Sequence, residues 1–315
     1  MIIICILVSA CSIENKDSLF ETLLKEEGIH AAFYNSNGSK IAMATTSGRL
    51  LLCDSNLNII NYIQAHEKVA NSSFFSLNDS LIITGGNDKK INTWKASNLE
   101  YVKTYPFKIN SHTSVLGFHT MVGCGEFGKV VIYNAINNDT ATIFLGATAF
   151  HVFYNIPDTS ILVSSGNYGY EIDIQKRKIT RKYIGNNGKF YCIMPNQSNT
   201  TVVTACSDSF VRVYSRATQK LIYKSKKLDG AVFVACYNYH NNTIAASTSN
   251  GSIYFFDTEL KNLKNQIKAF DGCINTIHYH PSDSFMVAGS LDKKFGGVKL
   301  FSTYDGREIK KLMTN

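Results

Sequence analysis

The sequence has few of the features that divide a chain into domains or mark an enzyme. Only 4 of its 315 residues are proline, and no Ser/Gly-rich linker or block of like charges interrupts it. It holds no GxSxG, P-loop, HExxH or EF-hand pattern, so the common signatures of acyl transfer, nucleotide binding and metal chemistry are missing. These absences favour one uninterrupted domain and give no support to catalysis.

Paired cysteines are also missing. None of the 8 cysteines belongs to a CxxC pair, which argues against zinc ribbons and thioredoxin-like redox sites. Several lie in apolar runs such as KFYCIMP and VFVACYN, where a thiol behaves as a small buried hydrophobic group. His278 and His280 share one face of a predicted strand, but no third ligand is indicated nearby. We therefore predict no metal and no cofactor.

The charge of the chain is positive but not concentrated. A net charge of +8 arises from Lys and Arg residues scattered along the whole sequence rather than gathered in one stripe. Such a distribution is typical of a solubilising surface, so we do not expect a nucleic-acid partner. Tyr, Phe, Ile and Val are plentiful, which favours strands over helices.

The sequence does contain a repeat of about 40 residues. Each copy has four short apolar segments of strand length, separated by polar turns. The third segment reads RLLLCD, KINTWK, KVVIYN, YEIDIQ, FVRVYS, GSIYFFD and GVKLFS in successive copies. The copies span residues 29–64, 66–105, 112–145, 147–184, 186–226, 229–269 and 271–313. This pattern predicts an all-β, seven-bladed β-propeller of four-stranded antiparallel blades, because a closed ring buries both faces of each small sheet.

The second copy carries four residues with a recognisable spacing. They are His66, Thr84, Asp88 and Trp94, the last three within TGGNDKKINTW. The set resembles the hydrogen-bonded tetrad of the WD40-repeat β-propeller family. The resemblance implies that Asp88 accepts from the His66 ring and that the ring, Thr84 and the indole N–H satisfy one another inside the blade. It also implies a structural rather than a catalytic role.

The resemblance extends over residues 29 to 313 and is weaker in the other copies. The fifth copy has a partial set, namely Asn186, Thr204, Asp208 and Tyr214. The remaining copies lack the full set. The chain has a single Trp, whereas propellers that bind quinone cofactors are Trp-rich, so the resemblance does not imply a quinoprotein enzyme.

Likeness to this family implies a non-catalytic scaffold that binds protein partners and has no small-molecule substrate. Its usual docking face bears the turns before the first strand and after the second strand of each blade. The residues expected near that face are Asn87, Lys189, Ser207, Ser249 and Leu291. Two alternatives stay open: an intracellular, eukaryotic-type WD40 subunit of a protein complex, and a propeller enzyme acting at the central channel.

The first residues resemble a bacterial lipoprotein signal. Residues 2–10 form an apolar run that is too short to span a membrane, and LVSAC matches the lipobox that precedes an acylated cysteine. This resemblance implies a signal peptide at 1–10, a lipid on Cys11, a polar tether at 11–17 and a propeller at 18–315, held at the bacterial cell envelope. The run has no Lys or Arg before it. The alternative is a cytoplasmic protein in which residues 2–9 are a buried strand.

Two segments compete for the last position in the ring. Residues 18–26 could complete the seventh blade, as N-terminal strands usually do in WD40 rings. Residues 308–313 read equally well as its fourth strand. We favour the N-terminal segment in the sheet, with 308–313 outside it or displacing it.

Overall fold

Seven small sheets arranged in a ring make up the molecule. The structure, a computed structural model, describes residues 27–106, 112–116, 120–134, 136–155, 159–185, 188–292 and 296–313. Within this part of the chain, 28 strands form seven antiparallel sheets, and each sheet uses four strands that are consecutive in sequence. The predicted seven-bladed propeller is confirmed.

The strands follow the predicted repeat closely. Blades 1 to 4 comprise β1 (Ile29–Tyr34), β2 (Lys40–Thr45), β3 (Arg49–Asp54), β4 (Ile59–Gln64), β5 (Ala70–Phe75), β6 (Leu81–Gly86), β7 (Lys90–Lys95), β8 (Tyr101–Pro106), β9 (His112–Leu116), β10 (Thr120–Cys124), β11 (Lys129–Asn134), β12 (Asp139–Phe144), β13 (Ala149–Asn155), β14 (Ser160–Ser165), β15 (Tyr168–Asp173) and β16 (Lys178–Ile184). Blades 5 to 7 comprise β17 (Phe190–Pro195), β18 (Thr201–Cys206), β19 (Val211–Ser215), β20 (Leu221–Lys224), β21 (Val232–Tyr237), β22 (Ile244–Thr248), β23 (Ser252–Phe256), β24 (Leu263–Lys268), β25 (Ile274–Tyr279), β26 (Phe285–Ser290), β27 (Gly297–Ser302) and β28 (Glu308–Met313).

Burial explains why the strands of one blade differ in composition. The second strand of blade 4, SILVSS, is buried along its whole length because other blades cover both of its faces. The fourth strand of the same blade, KITRKYI, lies at the outer rim and exposes most of its side chains. The hydrophobic core therefore lies between neighbouring blades, as in the cluster that joins Leu50 and Leu52 of blade 1 to Ile82 and Trp94 of blade 2.

The first strands of six blades share a β-bulge near their start. In each case one residue is skipped in the pairing with the second strand, whereas β9 pairs with β10 without such a shift. The six bulged residues line a central cavity of about 270 Å³, and they are His30, Asn71, Phe150, Tyr191, Phe233 and Asn275. An extra residue in a strand re-aims its side chain. The bulges therefore select which side chains face the channel.

The seventh blade ends in its own fourth strand. Leu300 of β27 pairs directly with Lys310 of β28. The arrangement in which 308–313 lies outside an N-terminal strand is therefore wrong, because β28 already occupies the hydrogen-bonding edge of β27. The other expected arrangement, in which 308–313 takes that place itself, agrees with this pairing. Residues 18–26 lie outside the described residues.

Side chains of β25 hold the last blade against the first. The Ala32 N–H donates to Thr276 Oγ1 at 3.3 Å, and the Tyr34 N–H donates to His278 Nδ1 at 3.4 Å. Asn275 Nδ2 in turn donates to a backbone oxygen of β1 at 2.8 Å. We call this junction the seam. Within the described residues it is held by packing and by these side-chain contacts, without a shared strand.

Candidate functional site

The loops of the propeller lie on two faces. We define the upper face as the face that carries the loops before the first strand and after the second strand of each blade. The lower face carries the turns after the first and third strands. The antiparallel order within each blade places each pair of loops at the same end.

The structure places all five residues of the predicted docking face on the upper face, namely Asn87, Lys189, Ser207, Ser249 and Leu291. Most of them tie loops together. The Ser207 N–H donates to the Lys189 carbonyl at 2.9 Å, and Ser207 Oγ accepts the Lys189 N–H at 2.8 Å. Ser249 Oγ accepts the Ala231 N–H at 3.1 Å. Of the five, Lys189 is exposed and the other four are half-buried.

The four residues singled out in blade 2 form one chain of hydrogen bonds. His66 Nδ1 lies 2.9 Å from Asp88 Oδ1, and His66 Nε2 lies 2.8 Å from Thr84 Oγ1. Trp94 Nε1 donates to the same Thr84 oxygen at 3.0 Å. With the proton on Nδ1, the ring donates to Asp88 and accepts from the Thr84 hydroxyl. All these buried polar groups are then satisfied.

This chain of contacts is not built for reaction chemistry. An Asp, a His and a hydroxyl in a row resemble the order of a catalytic triad. However, Thr84 is 0 % exposed, and its oxygen already accepts the indole N–H of Trp94. A nucleophile must reach its substrate, and this hydroxyl cannot.

Replacing Asp88 with alanine is expected to lower the free energy of unfolding by about 1–3 kcal/mol, because a buried His66 nitrogen loses its partner. The carboxylate also accepts the Glu67 and Lys90 backbone N–H groups, at 3.3 and 3.2 Å. Urea unfolding of the variant measures the loss. The matched control is Asp271→Ala, which removes an exposed carboxylate from the same face and should change little. Equal midpoints for both variants would contradict a structural role for Asp88.

Two histidines are held in their neutral form. Burial lowers the pKa of His66 below its ordinary value, and Asp88, which works in the opposite direction, does not restore it. Burial, with a smaller contribution from His280, lowers the pKa of His278 to about 4. His278 Nδ1 accepts the Tyr34 N–H across the seam, which only an unprotonated nitrogen can do.

These pKa shifts predict that the protein loses stability in mild acid. An unfolded His has a pKa of about 6.5, so the unfolded chain binds the proton first as the pH falls. The stability that the neutral rings contribute is present above about pH 6.5 and is lost progressively below it. We expect a lower urea midpoint at pH 5 than at pH 7.5. The variant His278→Asn, whose amide oxygen can replace Nδ1, should show a smaller difference, and an equal difference would contradict the assignment.

The partial set in blade 5 is arranged differently from that in blade 2. Asn186 lies outside the described residues. Thr204 Oγ1 donates to the Arg212 carbonyl at 3.4 Å, and Tyr214 Oη donates to the Ile184 carbonyl at 3.0 Å. Asp208 instead pairs with the guanidinium of Arg212, whose Nη1 lies 3.0 Å from Oδ1. The three described members therefore do not form one chain of hydrogen bonds.

Arg212 was not anticipated from the sequence, although it is only 1 % exposed. Burial raises the pKa of the Asp208 carboxyl, but hydrogen bonds from Arg212 and Cys206 and the charge of Arg212 outweigh it and leave the pKa below its ordinary value. The pair is thus an ion pair within one blade. In the sequence, the ion pair could have been inferred from an arginine four residues after Asp208, inside an otherwise apolar strand.

Blades 1 and 6 place an acid where blade 2 has its histidine. Glu27 precedes β1 and is buried, and it accepts the Ser47 N–H at 3.2 Å and Arg49 Nη1 at 2.7 Å. Asp229 precedes β21, is exposed, and accepts the Ser252 hydroxyl at 3.3 Å. In blade 2 the acid lies in the loop after the second strand, whereas in blades 1 and 6 it lies in the loop before the first strand.

A buried ionic cluster joins blades 4 and 5. Glu171 of β15 is 1 % exposed. Its carboxylate accepts hydrogen bonds from Arg216 Nε at 3.0 Å and from Arg181 Nη1 at 2.5 Å. Tyr183 Oη lies 3.3 Å from the same carboxylate. Burial and the neighbouring Glu171 raise the pKa of this tyrosine far above its ordinary value, so it stays protonated and acts as a donor. In the sequence, the glutamate within the strand segment YEIDIQ was the signal that could have indicated a buried ion pair.

The upper rim of blades 3 and 4 exposes large apolar side chains. The name apolar rim patch is used for Phe127 and Phe144 of blade 3, which are 80 % and 68 % exposed. Ile184, at the same end of blade 4, is 62 % exposed. Phe127 also has a φ of +56°, a left-handed conformation that bulky residues rarely adopt. The Leu145 N–H donates to the Gly128 carbonyl at 2.9 Å, which ties the loop after β12 to the Phe127 loop.

No metal-binding group of three or more His, Cys, Asp or Glu side chains occurs among the described residues. His280 Nδ1 lies 2.7 Å from Ser282 Oγ, so the two histidines on β25 and after it have separate partners. The six described cysteines are all free thiols. In the part of the chain that the structure covers, no helix is long and apolar enough to cross a membrane.

A protein-family model matches part of the chain. The family model described as WD domain, G-beta repeat matches residues 262–295, which cover β24 of blade 6 and both β25 and β26 of blade 7. The match lies outside blade 2, where the complete His–Thr–Asp–Trp set occurs. A search among curated proteins finds no match. The matched repeat and the ring of seven four-stranded blades together identify the chain as a WD40-repeat β-propeller.

Proposed function

We propose that this propeller is a non-catalytic scaffold that binds a protein partner on its upper face. WD40 propellers are typically scaffolds of this kind, and the fold agrees with such a role. The observation that carries the proposal is the exposure of Phe127. Its left-handed backbone costs about 1–3 kcal/mol, and an exposed ring gives nothing back to folding. A partner that covers the apolar rim patch would offset both costs.

Variants that replace exposed aromatic rings by serine, on the upper face or on the lower face, test this proposal. The double variant Phe127→Ser/Phe144→Ser removes two rings of the patch, and Tyr304→Ser removes a ring that is 96 % exposed on the lower face. Partners are captured by cross-linking in the native host and are identified by mass spectrometry. Proteins recovered with the wild type and with Tyr304→Ser, but lost with the double variant, are the expected result. Equal recovery by all three proteins would refute the upper rim as the docking surface.

We further propose that the scaffold is exported and is anchored to the bacterial envelope by a lipid on Cys11. The support is the LVSAC segment at the end of a nine-residue apolar run. The seven blades use residues 29–313, so the ring does not need residues 1–17 for its strands. Burial raises the pKa of Cys192 to about 12 and that of Cys206 to about 11. Thiols of this kind react poorly, which suits an oxidising compartment without disulfides.

Metabolic labelling with a fatty-acid analogue tests the anchor. In a bacterial host with lipoprotein processing, the wild type should be labelled and should lose the mass of residues 1–10. Cys11→Ala should abolish the label, whereas Cys273→Ala, which removes a half-buried thiol of the propeller, should keep it. An unlabelled wild-type chain of full mass would refute the anchor and favour the cytoplasmic alternative, without bearing on the docking face.

A further inference from the structure

The six bulged residues divide the central cavity into two chemically different halves. Blades 4, 5 and 6 contribute Phe150, Tyr191 and Phe233, and blades 7, 1 and 2 contribute Asn275, His30 and Asn71. Adjacent blades thus give three consecutive aromatic residues and then three consecutive polar residues. The same backbone device therefore presents three aromatic side chains on one side and three polar side chains on the other, where Phe33 and Phe74 also line the cavity.

The aromatic half is an ordered stack rather than a loose collection of rings. Tyr191 and Phe233 lie parallel, with ring centroids 4.8 Å apart and an angle of 3° between planes. Phe150 meets Tyr191 edge-on at 5.3 Å. All three are only half-buried, so part of each ring surface faces the cavity. A flat molecule can extend such a stack.

The polar half has donors and acceptors held in place. Asn275 Nδ2 donates to the backbone oxygen of His30 at 2.8 Å, which fixes the orientation of the amide. Its Oδ1 is then the atom that can accept a hydrogen bond from a ligand. Thr276 Oγ1 accepts the Ala32 N–H, so its own hydroxyl proton is available for donation. One acceptor and one donor therefore lie side by side on blade 7 and line the same cavity as Phe233 of the adjoining blade 6.

Size and charge narrow the class of molecule that fits. An engineered cavity of about 150 Å³ holds benzene, so about 270 Å³ has room for one or two fused rings. The described side chains that line the cavity include no Asp, Glu, Lys or Arg. A charged ligand would lose its hydration there without an opposite charge to replace it.

We propose that the central cavity binds a small neutral heteroaromatic molecule whose edge carries both a donor and an acceptor. The molecule extends the Tyr191–Phe233 stack and forms hydrogen bonds with Asn275 and Thr276. This site is separate from the apolar rim patch, and it does not depend on the proposed docking of a protein.

Ligand titrations with two probe types test the site. Adenine and nicotinamide are neutral rings with a donor and an acceptor, and naphthalene has a similar shape without either. Binding to the full chain is followed by calorimetry and by ligand-observed NMR, at concentrations up to about 1 mM. At least one of the two heterocycles should bind more tightly than naphthalene. A folded wild type that binds neither heterocycle overturns the proposal.

Two substitutions separate the two halves of the cavity. Phe233→Leu keeps an apolar side chain but removes part of the stack, so it should weaken heterocycle and naphthalene binding alike, the heterocycle about tenfold or more. Asn275→Leu removes the polar edge, so it should weaken heterocycle binding only. Circular dichroism checks that both variants fold. Unchanged heterocycle affinity in Phe233→Leu, or an equal loss of both probes in Asn275→Leu, overturns the proposal.

The rim variant supplies the control for independence. Phe127→Ser alters the upper face far along the ring from blades 6 and 7, and it should leave heterocycle affinity unchanged. Loss of partner capture with retained heterocycle binding would support both sites. A parallel loss of heterocycle binding in Phe127→Ser would overturn the assignment to the cavity.

Discussion

Replacing Glu171 with alanine is expected to lower the free energy of unfolding by about 3–5 kcal/mol, the usual cost of breaking a buried ion pair. The carboxylate is the shared acceptor for Arg181 and Arg216, and Arg216 reaches it from the neighbouring blade. Without it, the nearly buried Arg216 guanidinium loses its counter-charge. Because the pair bridges blades 4 and 5, the loss should also loosen that junction.

Chemical unfolding and native-state hydrogen exchange measure this effect. Glu171→Gln preserves shape but not charge, so it should be destabilised less than the alanine variant. The matched surface control is Glu67→Ala, which breaks the exposed pair between Glu67 and Lys90 and should leave the midpoint essentially unchanged. Faster exchange confined to blades 4 and 5 is expected for Glu171→Ala. If its midpoint matches that of Glu67→Ala, the buried cluster does not hold the junction.

Replacing Trp94 with alanine is expected to cost about 3–5 kcal/mol, because it empties a large buried volume between blades 1 and 2. The indole packs with Leu50, Leu52 and Ile82 and meets Tyr101 edge-on at 5.6 Å. Its removal also deprives Thr84 Oγ1 of a donor. Thermal and urea unfolding would both show the loss.

A second variant separates packing from hydrogen bonding at this position. Trp94→Phe fills most of the volume but has no N–H, so its cost should lie well below that of alanine. The difference between wild type and Trp94→Phe then reports the hydrogen bond to Thr84, on the order of 1 kcal/mol together with some lost packing. If phenylalanine costs as much as alanine, the indole N–H rather than the filled volume dominates.

The fold could be predicted from the sequence because strand alternation and turn residues recur seven times. The first copy, 29–64, coincides with the bounds of β1 and β4. Closure of the ring could not be predicted in the same way. Residues 18–26 and 308–313 have equal strand character, and the choice depends on which of them meets the edge of β27. Local pattern does not encode that choice, whereas the three-dimensional structure shows that β28 occupies the edge.

The buried polar clusters show why matched spacing is not enough. Asp88 and Asp208 occupy equivalent turns, but the residue four positions later is Asn92 in blade 2 and Arg212 in blade 5. In blade 2, Asp88 pairs with His66. Blade 5 has Asn186 in place of that histidine, and Asp208 pairs with the Arg212 guanidinium instead. Differences at two neighbouring positions therefore separate the partners of the two aspartates.

The apolar rim patch illustrates a second limit. Phe127 stands near the position of the tetrad aspartate, and nothing in its neighbours EFG distinguishes a buried ring from an exposed one. Its exposure follows from the left-handed turn that precedes β11. Backbone conformation of single turn residues is set by the loops around them, so it emerges only in the folded ring.

The seam gives the ring a preferred place to yield under mechanical load. Each of the other six junctions between neighbouring blades is also spanned by the chain, which runs from the fourth strand of one blade to the first strand of the next. At the seam, within the described residues, blades 7 and 1 are joined by side-chain contacts such as those of Thr276 and His278 with β1. Force that pulls residues 27 and 313 apart therefore acts directly across this junction. Such a pull would open the circle into an arc of sheets that remain linked by their connecting loops.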